Sequence, residues 1–209
     1  HYPLRRQRQM CIRDRYIFHP LFLKIKNILK SNILGNITNI ESKFTVPIND
    51  KKSFRFNKSN GGGALYDVGI YPLSLNIFLF DNLNPKIIES NIIFSKKYKI
   101  DLMGSITTMY KKAIFRQNWG FNLAYQNCLK ITGSKREIEA NFIFSKKNID
   151  SGVIKVKNKN KIKKILVKNA NQINSAFMFY LNKKNTLKDN KKNIKISELI
   201  NKALASAKN

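Results

Sequence analysis

Residues 61–80 read GGGALYDVGIYPLSLNIFLF, and the interpretation of the whole chain depends on this stretch. Three consecutive glycines precede an apolar segment whose periodicity predicts a helix, which Pro72 should kink or restart. The glycines either form a flexible linker or let the backbone approach a neighbouring group closely. Within the helix, Asp67 and Tyr71 are four residues apart and therefore share one face.

A carboxylate and a phenol on one apolar helix face need a reason, because burying an unpaired charge is costly. In one interpretation, Asp67 caps backbone amides after the glycines and Tyr71 is a core residue. In the other, the pair handles a proton at a substrate hydroxyl. A phenol, whose usual pKa is near ~10, would then act more readily as a proton donor. The residues alone leave both interpretations open.

After Pro85 the hydrophobic period changes from helical to alternating, which is typical of strands. Strands are predicted at 36–46, 87–94, 100–110, 113–121, 127–132, 137–144, 153–157 and 162–167. Short connections between consecutive strands favour an antiparallel sheet. Helices predicted at 16–34, 64–80, 171–183 and 194–207 would cover one face of it. The fold class is therefore α+β, with an open, mainly antiparallel sheet and helices on one face.

The uncovered face of this sheet is expected to be apolar. The alternation assigns Trp119, Phe121, Phe142 and Phe144 to one side of the sheet, and Ile114 and Ile143 to the other. A large exposed apolar face usually marks an association site. We therefore expect a homodimer, or a higher oligomer, formed through the open sheet face.

The formal net charge of +28 is the most conspicuous feature of the composition. Because the lysines are mixed with Asn and Ile, whose codons are also AT-rich, compositional drift on solvated faces explains most of it. The charge still predicts non-specific binding to polyanions at low salt. A basic nucleic-acid-binding module is the alternative function, but the lysines do not cluster with aromatic residues and no RNA-binding or zinc motif occurs.

Cysteine and histidine are too sparse for a metal centre. The two cysteines, Cys11 and Cys128, form no CxxC motif, and the two histidines are His1 and His19. This usage favours a reducing cytoplasm and predicts no metal site. No stretch reaches ~18 consecutive apolar residues, so no membrane span is expected.

The first fifteen residues, HYPLRRQRQMCIRDR, differ from the rest because they hold five of the eight arginines. A basic arm for nucleic acid is one interpretation. A non-native or disordered segment is the favoured one. The folded domain is accordingly expected to comprise residues 16–209.

The stretch at 61–80 resembles the signature of the Gfo/Idh/MocA oxidoreductases: a glycine run, Ala-Leu, Asp-x-Gly-x-(His or Tyr) and an apolar helix. Three further segments are similar to the same family: FHPLFLKIKNILKSNILGNITNIESKF (18–44), YQNCLKITGSKREIEANFIF (125–144) and KISELINKALASAKN (195–209). The resemblance covers about residues 16–209. It implies the C-terminal, substrate-binding domain of an NAD(P)-dependent oxidoreductase that acts on a secondary alcohol of a sugar or cyclic polyol. Members commonly dimerise through the open sheet face.

The resemblance also implies roles for individual residues. Tyr71 occupies the position of the tyrosine implicated in proton transfer in the glucose–fructose oxidoreductase and dihydrodiol dehydrogenase branches. Asp67 is the expected orienting carboxylate, so Tyr71 and Asp67 are the catalytic candidates. Arg55, before the glycines, is a candidate for substrate contact. Neither the GxGxxG turn nor the Glu-Lys-Pro motif of the family's Rossmann domain occurs in this chain. The cofactor-binding domain is thus expected to be missing, and the chain alone to be inactive.

A binding measurement tests whether cofactor binding belongs to a separate domain. Because residues 16–209 contain no GxGxxG turn, we expect calorimetry to detect no saturable binding of NAD or NADP. Micromolar affinity for either dinucleotide would contradict the assignment of cofactor binding to a separate domain.

Overall fold

The computed structural model of the protein describes residues 14–48, 50, 52–80, 84–145, 152–168, 172–181 and 183–207. Residues 1–13, nearly all of the segment expected to be non-native or disordered, lie outside this part of the chain. That expectation therefore stays a prediction.

The described helices lie at the predicted positions, except that the last one begins at Lys183 instead of the predicted 194. They are α1 (Pro20–Lys30), α2 (Ile70–Leu79), α3 (Gln172–Tyr180) and α4 (Lys183–Ser206), with 3-10 turns at Asp14–Phe18 and Phe54–Phe56 and a π-helical turn at Leu65–Gly69 that leads into α2. Helix α1 begins at Pro20, because the Nδ1 atom of His19 accepts a hydrogen bond from the Leu21 amide at 3.0 Å.

The strands are β1 (Ile37–Val46), β2 (Lys86–Phe94), β3 (Asp101–Tyr110), β4 (Ala113–Phe121), β5 (Gln126–Gly133), β6 (Glu137–Asn141), β7 (Gly152–Asn158) and β8 (Lys161–Val167). They form one eight-stranded sheet in the order β2-β3-β4-β1-β5-β6-β7-β8. Strand β1 is inserted between β4 and β5 and pairs with β4 in parallel, whereas the other pairs are antiparallel. The predicted α+β fold with an open, mainly antiparallel sheet is confirmed.

The core lies between one face of the sheet and the helices. Helix α2 packs on β1 and β4, α1 packs on β7 and β8, and α4 packs on β2. Alternate residues of β4 point into this core, as its pattern predicted: Ala113, Phe115, Gln117, Trp119 and Phe121 are all buried. In α4 the buried residues Ile196, Leu199, Ile200 and Ala203 follow the spacing of one helical face.

The prediction that the strand over 137–144 continues to Phe144 is wrong. Strand β6 ends at Asn141, and Phe142 is exposed with a left-handed backbone (φ 55°). The turn places both Ile143 and Phe144 in the core. Phe144 therefore stays with Trp119 and Phe121 as expected, whereas Phe142 and Ile143 leave their expected sides. Asn127 is the physical reason, because its backbone carbonyl accepts a hydrogen bond from the Phe142 amide and its side-chain oxygen accepts one from the Phe144 amide.

The expectation of an apolar open face is wrong for the middle of the sheet, although Met109, Ile162 and Leu166 are exposed on the outer strands of that face. Across adjacent strands that face carries charges in register, in the order Arg116, Glu41, Lys130, Glu139, Lys155. Ion pairs join Lys130 to Glu137 at 3.0 Å and Lys157 to Glu139 at 2.6 Å. The large apolar side chains of β4 and β5, apart from Ile114, alternate with these charges and lie in the core.

Candidate functional site

The glycine run forms a fixed connection, not a flexible linker. The amides of Gly62 and Gly63 donate hydrogen bonds to the carbonyls of Asn57 (2.9 Å) and Arg55 (3.0 Å). Gly63 has φ +127°, and a Cβ atom there would collide with the carboxylate of Asp101. Only glycine fits that backbone and that contact without strain. The run therefore ties the loop that carries Arg55 to the start of the π-helical turn.

Asp101 anchors the other side of this connection. It is the first residue of β3 and is 6% exposed, and its Oδ2 accepts a hydrogen bond from the Leu65 amide at 2.5 Å. Burial raises the pKa of this carboxyl group, and the hydrogen bond from the Leu65 amide partly offsets the rise. The indole N–H of Trp119 also lowers the pKa, although it lies outside strict hydrogen-bond geometry.

The π-helical turn from Leu65 to Gly69 determines the direction of the side chains that follow. Such turns are rare in proteins, and many of those known lie at functional sites. Leu65 and Val68 point into the core, whereas Asp67 stays partly exposed. The turn lies close to the sheet because Gly69 has no side chain, since a Cβ there would lie 2.8 Å from the indole ring of Trp119.

Asp67 forms an ion pair with Arg55, with the Nε atom of Arg55 2.6 Å from the Oδ2 atom of Asp67. The two side chains are 38% and 21% exposed. The capping role considered for Asp67 is taken by Asp101, which accepts the hydrogen bond from the Leu65 amide. The Asp67 carboxylate is thus held by a cation at the protein surface, where a ligand can reach it.

Tyr71 packs its ring against three other aromatic rings. The centroid distances are 5.2 Å to Phe44, 5.9 Å to Tyr16 and 6.0 Å to Phe144. The hydroxyls of Tyr16 and Ser74 are hydrogen-bonded at 2.8 Å, and Ser74 donates to the Tyr71 carbonyl at 3.1 Å. Rings from three different parts of the chain therefore fix the orientation of the Tyr71 ring.

Arg55, Asp67 and Tyr71 line one pocket of about 550 Å³. The other lining residues are Phe44, Val46, Pro47, Ile48, Asp50, Ser53, Val68, Tyr125 and Ser145. A guanidinium, a carboxylate and a phenol converge there on an otherwise largely apolar wall, which is typical of small-molecule sites. A second cavity of similar volume lies on the open sheet face, around Cys128 and Lys130, and contains none of these three residues.

Sequence reasoning missed three residues that shape this site: Asp101, Tyr16 and Tyr125. Asp101 begins a strand after a polar loop, where an aspartate is ordinarily solvated, so its burial has no sequence signal.

Among the described residues no group of three or more His, Cys, Asp or Glu side chains could hold a metal ion. Within the same residues, no helix is long and apolar enough to cross a membrane.

Comparison with known proteins agrees with this geometry. A family model described as the GFO/IDH/MocA C-terminal domain matches residues 22–139, more than half of the chain. The chain belongs to the GFO/IDH/MocA family. The match includes Arg55, the glycine run, Asp67 and Tyr71, so the pocket lies in the part of the chain that defines the family.

Individual GFO/IDH/MocA relatives are distant. The dTDP-3,4-didehydro-2,6-dideoxy-α-D-glucose 3-reductase of Actinomadura kijaniata is 24% identical over 144 residues, which are 67% of this chain and 43% of that protein. The reductase of the same name from Saccharopolyspora spinosa is 23% identical over 163 residues, 76% of this chain and 48% of that protein. The chain thus spans about half the length of these relatives.

Solved structures of the family share the fold. A variant of a 3-ketoreductase from Actinomadura kijaniata, in complex with TDP-benzene and NADP, matches with a TM-score of 0.83 at 15% identity, over 92% of this chain and 60% of that one. An aldose-aldose oxidoreductase from Caulobacter crescentus, complexed with glycerol, gives a TM-score of 0.80 at 15% identity, with 93% and 60% covered. At such identities the likeness establishes the fold alone.

The burial of Asp101 generates a prediction about stability. Because its pKa is raised in the folded state, the unfolded chain releases this proton first, and the wild type loses stability as pH rises above about 4. Asp101→Asn lacks this loss, so its stability relative to wild type should improve as pH rises above about 4. Urea unfolding at several pH values measures the difference, with the exposed Glu198→Gln as the control. A difference that does not change with pH would contradict the assignment.

Proposed function

We propose that this chain is the substrate-binding half of an NAD(P)-dependent oxidoreductase that interconverts a secondary alcohol and a ketone on a sugar or cyclic polyol. The observation that carries the proposal is the convergence of Arg55, Asp67 and Tyr71 on one pocket in a chain of the GFO/IDH/MocA family. Several relatives are named for a dTDP-linked sugar, so sugars linked to a nucleoside diphosphate are included among the proposed substrates.

The residues of this chain fit the substrate side of such a site and not the phosphates of the dinucleotide. The amides of Gly62 and Gly63, which could cradle phosphates, are already bound to backbone carbonyls. The bound nicotinamide would supply or accept the hydride. We assign its binding mainly to a domain outside this chain, and expect residues 16–209 alone to be inactive.

Within the pocket, Tyr71 is proposed to move the proton. Its hydroxyl would donate to the substrate oxygen as a ketone is reduced, and accept from it in the reverse direction. Asp67, held by Arg55, would accept hydrogen bonds from neighbouring sugar hydroxyls and so orient the ring. Because the ion pair is partly exposed, it stabilises the empty site little and gains strength when a substrate excludes water.

Nothing supports the alternative of a nucleic-acid-binding module. The matching family is one of oxidoreductases, and Lys130 and Lys157 on the open face pair with Glu137 and Glu139.

We place the protein in the reducing cytoplasm, in keeping with the free thiol of Cys128.

Substitution of Tyr71 tests the catalytic proposal. In an active enzyme that contains this chain, Tyr71→Phe should lower kcat by roughly 10²–10⁴-fold, the usual contribution of a positioned acid or base. Folding should survive, because the ring contacts remain. Tyr66→Phe is the matched control, since this exposed tyrosine belongs to the same turn but not to the pocket lining. An unchanged kcat at saturating substrate would return Tyr71 to a purely structural role.

We also propose that the open sheet face mediates self-association as a two-fold dimer. Helices α1, α2 and α4 pack on the other face, and the open face alternates in sign from Arg116 through Glu41, Lys130 and Glu139 to Lys155. A row that alternates in this way can meet a two-fold copy of itself with opposite charges opposed. Charge complementarity thus takes the place of the apolar surface expected from the sequence.

Sedimentation equilibrium on residues 16–209 tests the association. At ~0.15 M salt, where repulsion is screened beyond ~8 Å, we expect a dimer at ~100 µM protein. Glu139→Lys should weaken it by placing like charges together, whereas Lys24→Glu, on the exposed side of α1, should not. A strict monomer under these conditions would rule out the proposed interface.

A further inference from the structure

Three polar side chains are buried between helix α2 and the sheet, outside both cavities described above. Asn76 of α2 is 3% exposed, Gln117 of β4 is 1% exposed and Ser42 of β1 is 0% exposed. Within the described part of the chain, neither side-chain atom of the Asn76 amide has a hydrogen-bond partner, and the same is true of Gln117 Oε1 and Ser42 Oγ. Buried polar groups are nearly always hydrogen-bonded, so these four atoms require a further partner.

The packing of helix α2 shows which part of the sheet Asn76 faces. At the start of the helix, a Cβ atom on Gly69 would lie 2.8 Å from the indole ring of Trp119. At its other end, the centroids of the Phe80 and Phe115 rings are 5.7 Å apart. Both ends of α2 therefore lie over the core-facing side of β4.

The middle of the helix brings the three polar side chains together. Asn76 follows Gly69 by seven residues and precedes Phe80 by four, so it shares the helix face of these two contacts. Gln117 is the core-facing residue of β4 between the two contacted positions. Ser42 is the register partner of Gln117 on the neighbouring strand β1. Asn76 is therefore opposite Gln117 and Ser42.

The chemistry of these side chains fits a small neutral ligand. The Asn76 amide offers a donor and an acceptor, Gln117 Oε1 is an acceptor, and the Ser42 hydroxyl can donate or accept. A charged ligand would need an opposite charge, which none of the three side chains supplies. A water molecule both donates and accepts, and buried waters typically make ~3 hydrogen bonds to otherwise unsatisfied polar groups.

We propose that Asn76, Gln117 and Ser42 bind an internal water molecule that bridges helix α2 to the parallel pair of strands β1 and β4. The water supplies hydrogen bonds that the three side chains lost when they left solvent. It also holds the middle of α2 in one position on the sheet, because a hydrogen bond is directional and apolar packing is not. Helix α2 carries Tyr71, but none of the three side chains lines the Tyr71 pocket, so the water site does not depend on the proposed function.

A crystal structure of the full chain, at a resolution that shows buried waters, tests the site directly. We expect a density peak ~2.7–3.2 Å from polar atoms of at least two of the three side chains. In Asn76→Leu, which replaces the amide by an apolar group of similar size, this peak should be lost or displaced. The water site is ruled out if the map shows other buried waters but none here, or if the amides of Asn76 and Gln117 bond directly to each other.

Thermal unfolding gives a second, independent test. If water bridges the cluster, Asn76→Leu removes one partner and leaves the others unsatisfied, so Tm should fall by ~2–12 °C. Gln117→Met should act in the same direction. The double variant should lose less than the sum of the two single variants, because it removes both sides of the bridge.

The matched control combines Asn76→Leu with Ile154→Val, a buried position on β7 three strands away from β1, and its effects should add. A rise in Tm on Asn76→Leu would show that the amide is simply buried without a partner, since its removal would then relieve a cost. That result, or additive effects of Asn76→Leu and Gln117→Met, would overturn the proposed water site.

Discussion

The hydrogen bond from the Leu65 amide to the buried Asp101 carboxylate determines where the site can form. It fixes the first residue of the π-helical turn, and the residues that follow take their directions from that start. The contact also requires glycine at position 63, because any side chain there would collide with the carboxylate. A buried carboxylate with a raised pKa is costly to maintain. The buried carboxylate nevertheless lies beside the glycine run, as expected where a structure gives up stability to position a site.

How much the sequence could predict depends on whether each feature is encoded locally. The alternation in β4 and the glycine-to-tyrosine motif were recognised because each lies within one short stretch. The insertion of β1 beside β4 and the capping by Asp101 join residues that are far apart in the chain. The prediction for Phe142 is wrong for the same reason, because the turn at this residue is enforced by Asn127, which lies on another strand. Local periodicity cannot report partners that only the folded chain supplies.

The prediction for the open sheet face contains a related error. The number of apolar residues in a strand does not show which face of the sheet their side chains occupy. The large side chains of β4 and β5 enter the core, and Ile143 follows them after the turn at Phe142. The middle of the open face is instead ordered by ion pairs between Lys130, Lys157 and two glutamates. These pairs also show that part of the excess lysine is neutralised locally. The net charge alone therefore says little about what this surface binds.

The two halves of the candidate site are supported in different ways, and the difference suits their proposed roles. Tyr71 is surrounded by rings from the first turn, from β1 and from the segment after β6, so its position is set before any substrate arrives. Proton transfer requires such precise placement. The ion pair of Arg55 and Asp67 is partly exposed to water, and exposed pairs contribute only ~0–1 kcal/mol. A substrate that covers it lowers the local dielectric and strengthens it. In the proposed function, the orienting end of the pocket would thus respond to what is bound, while the reacting end would stay fixed.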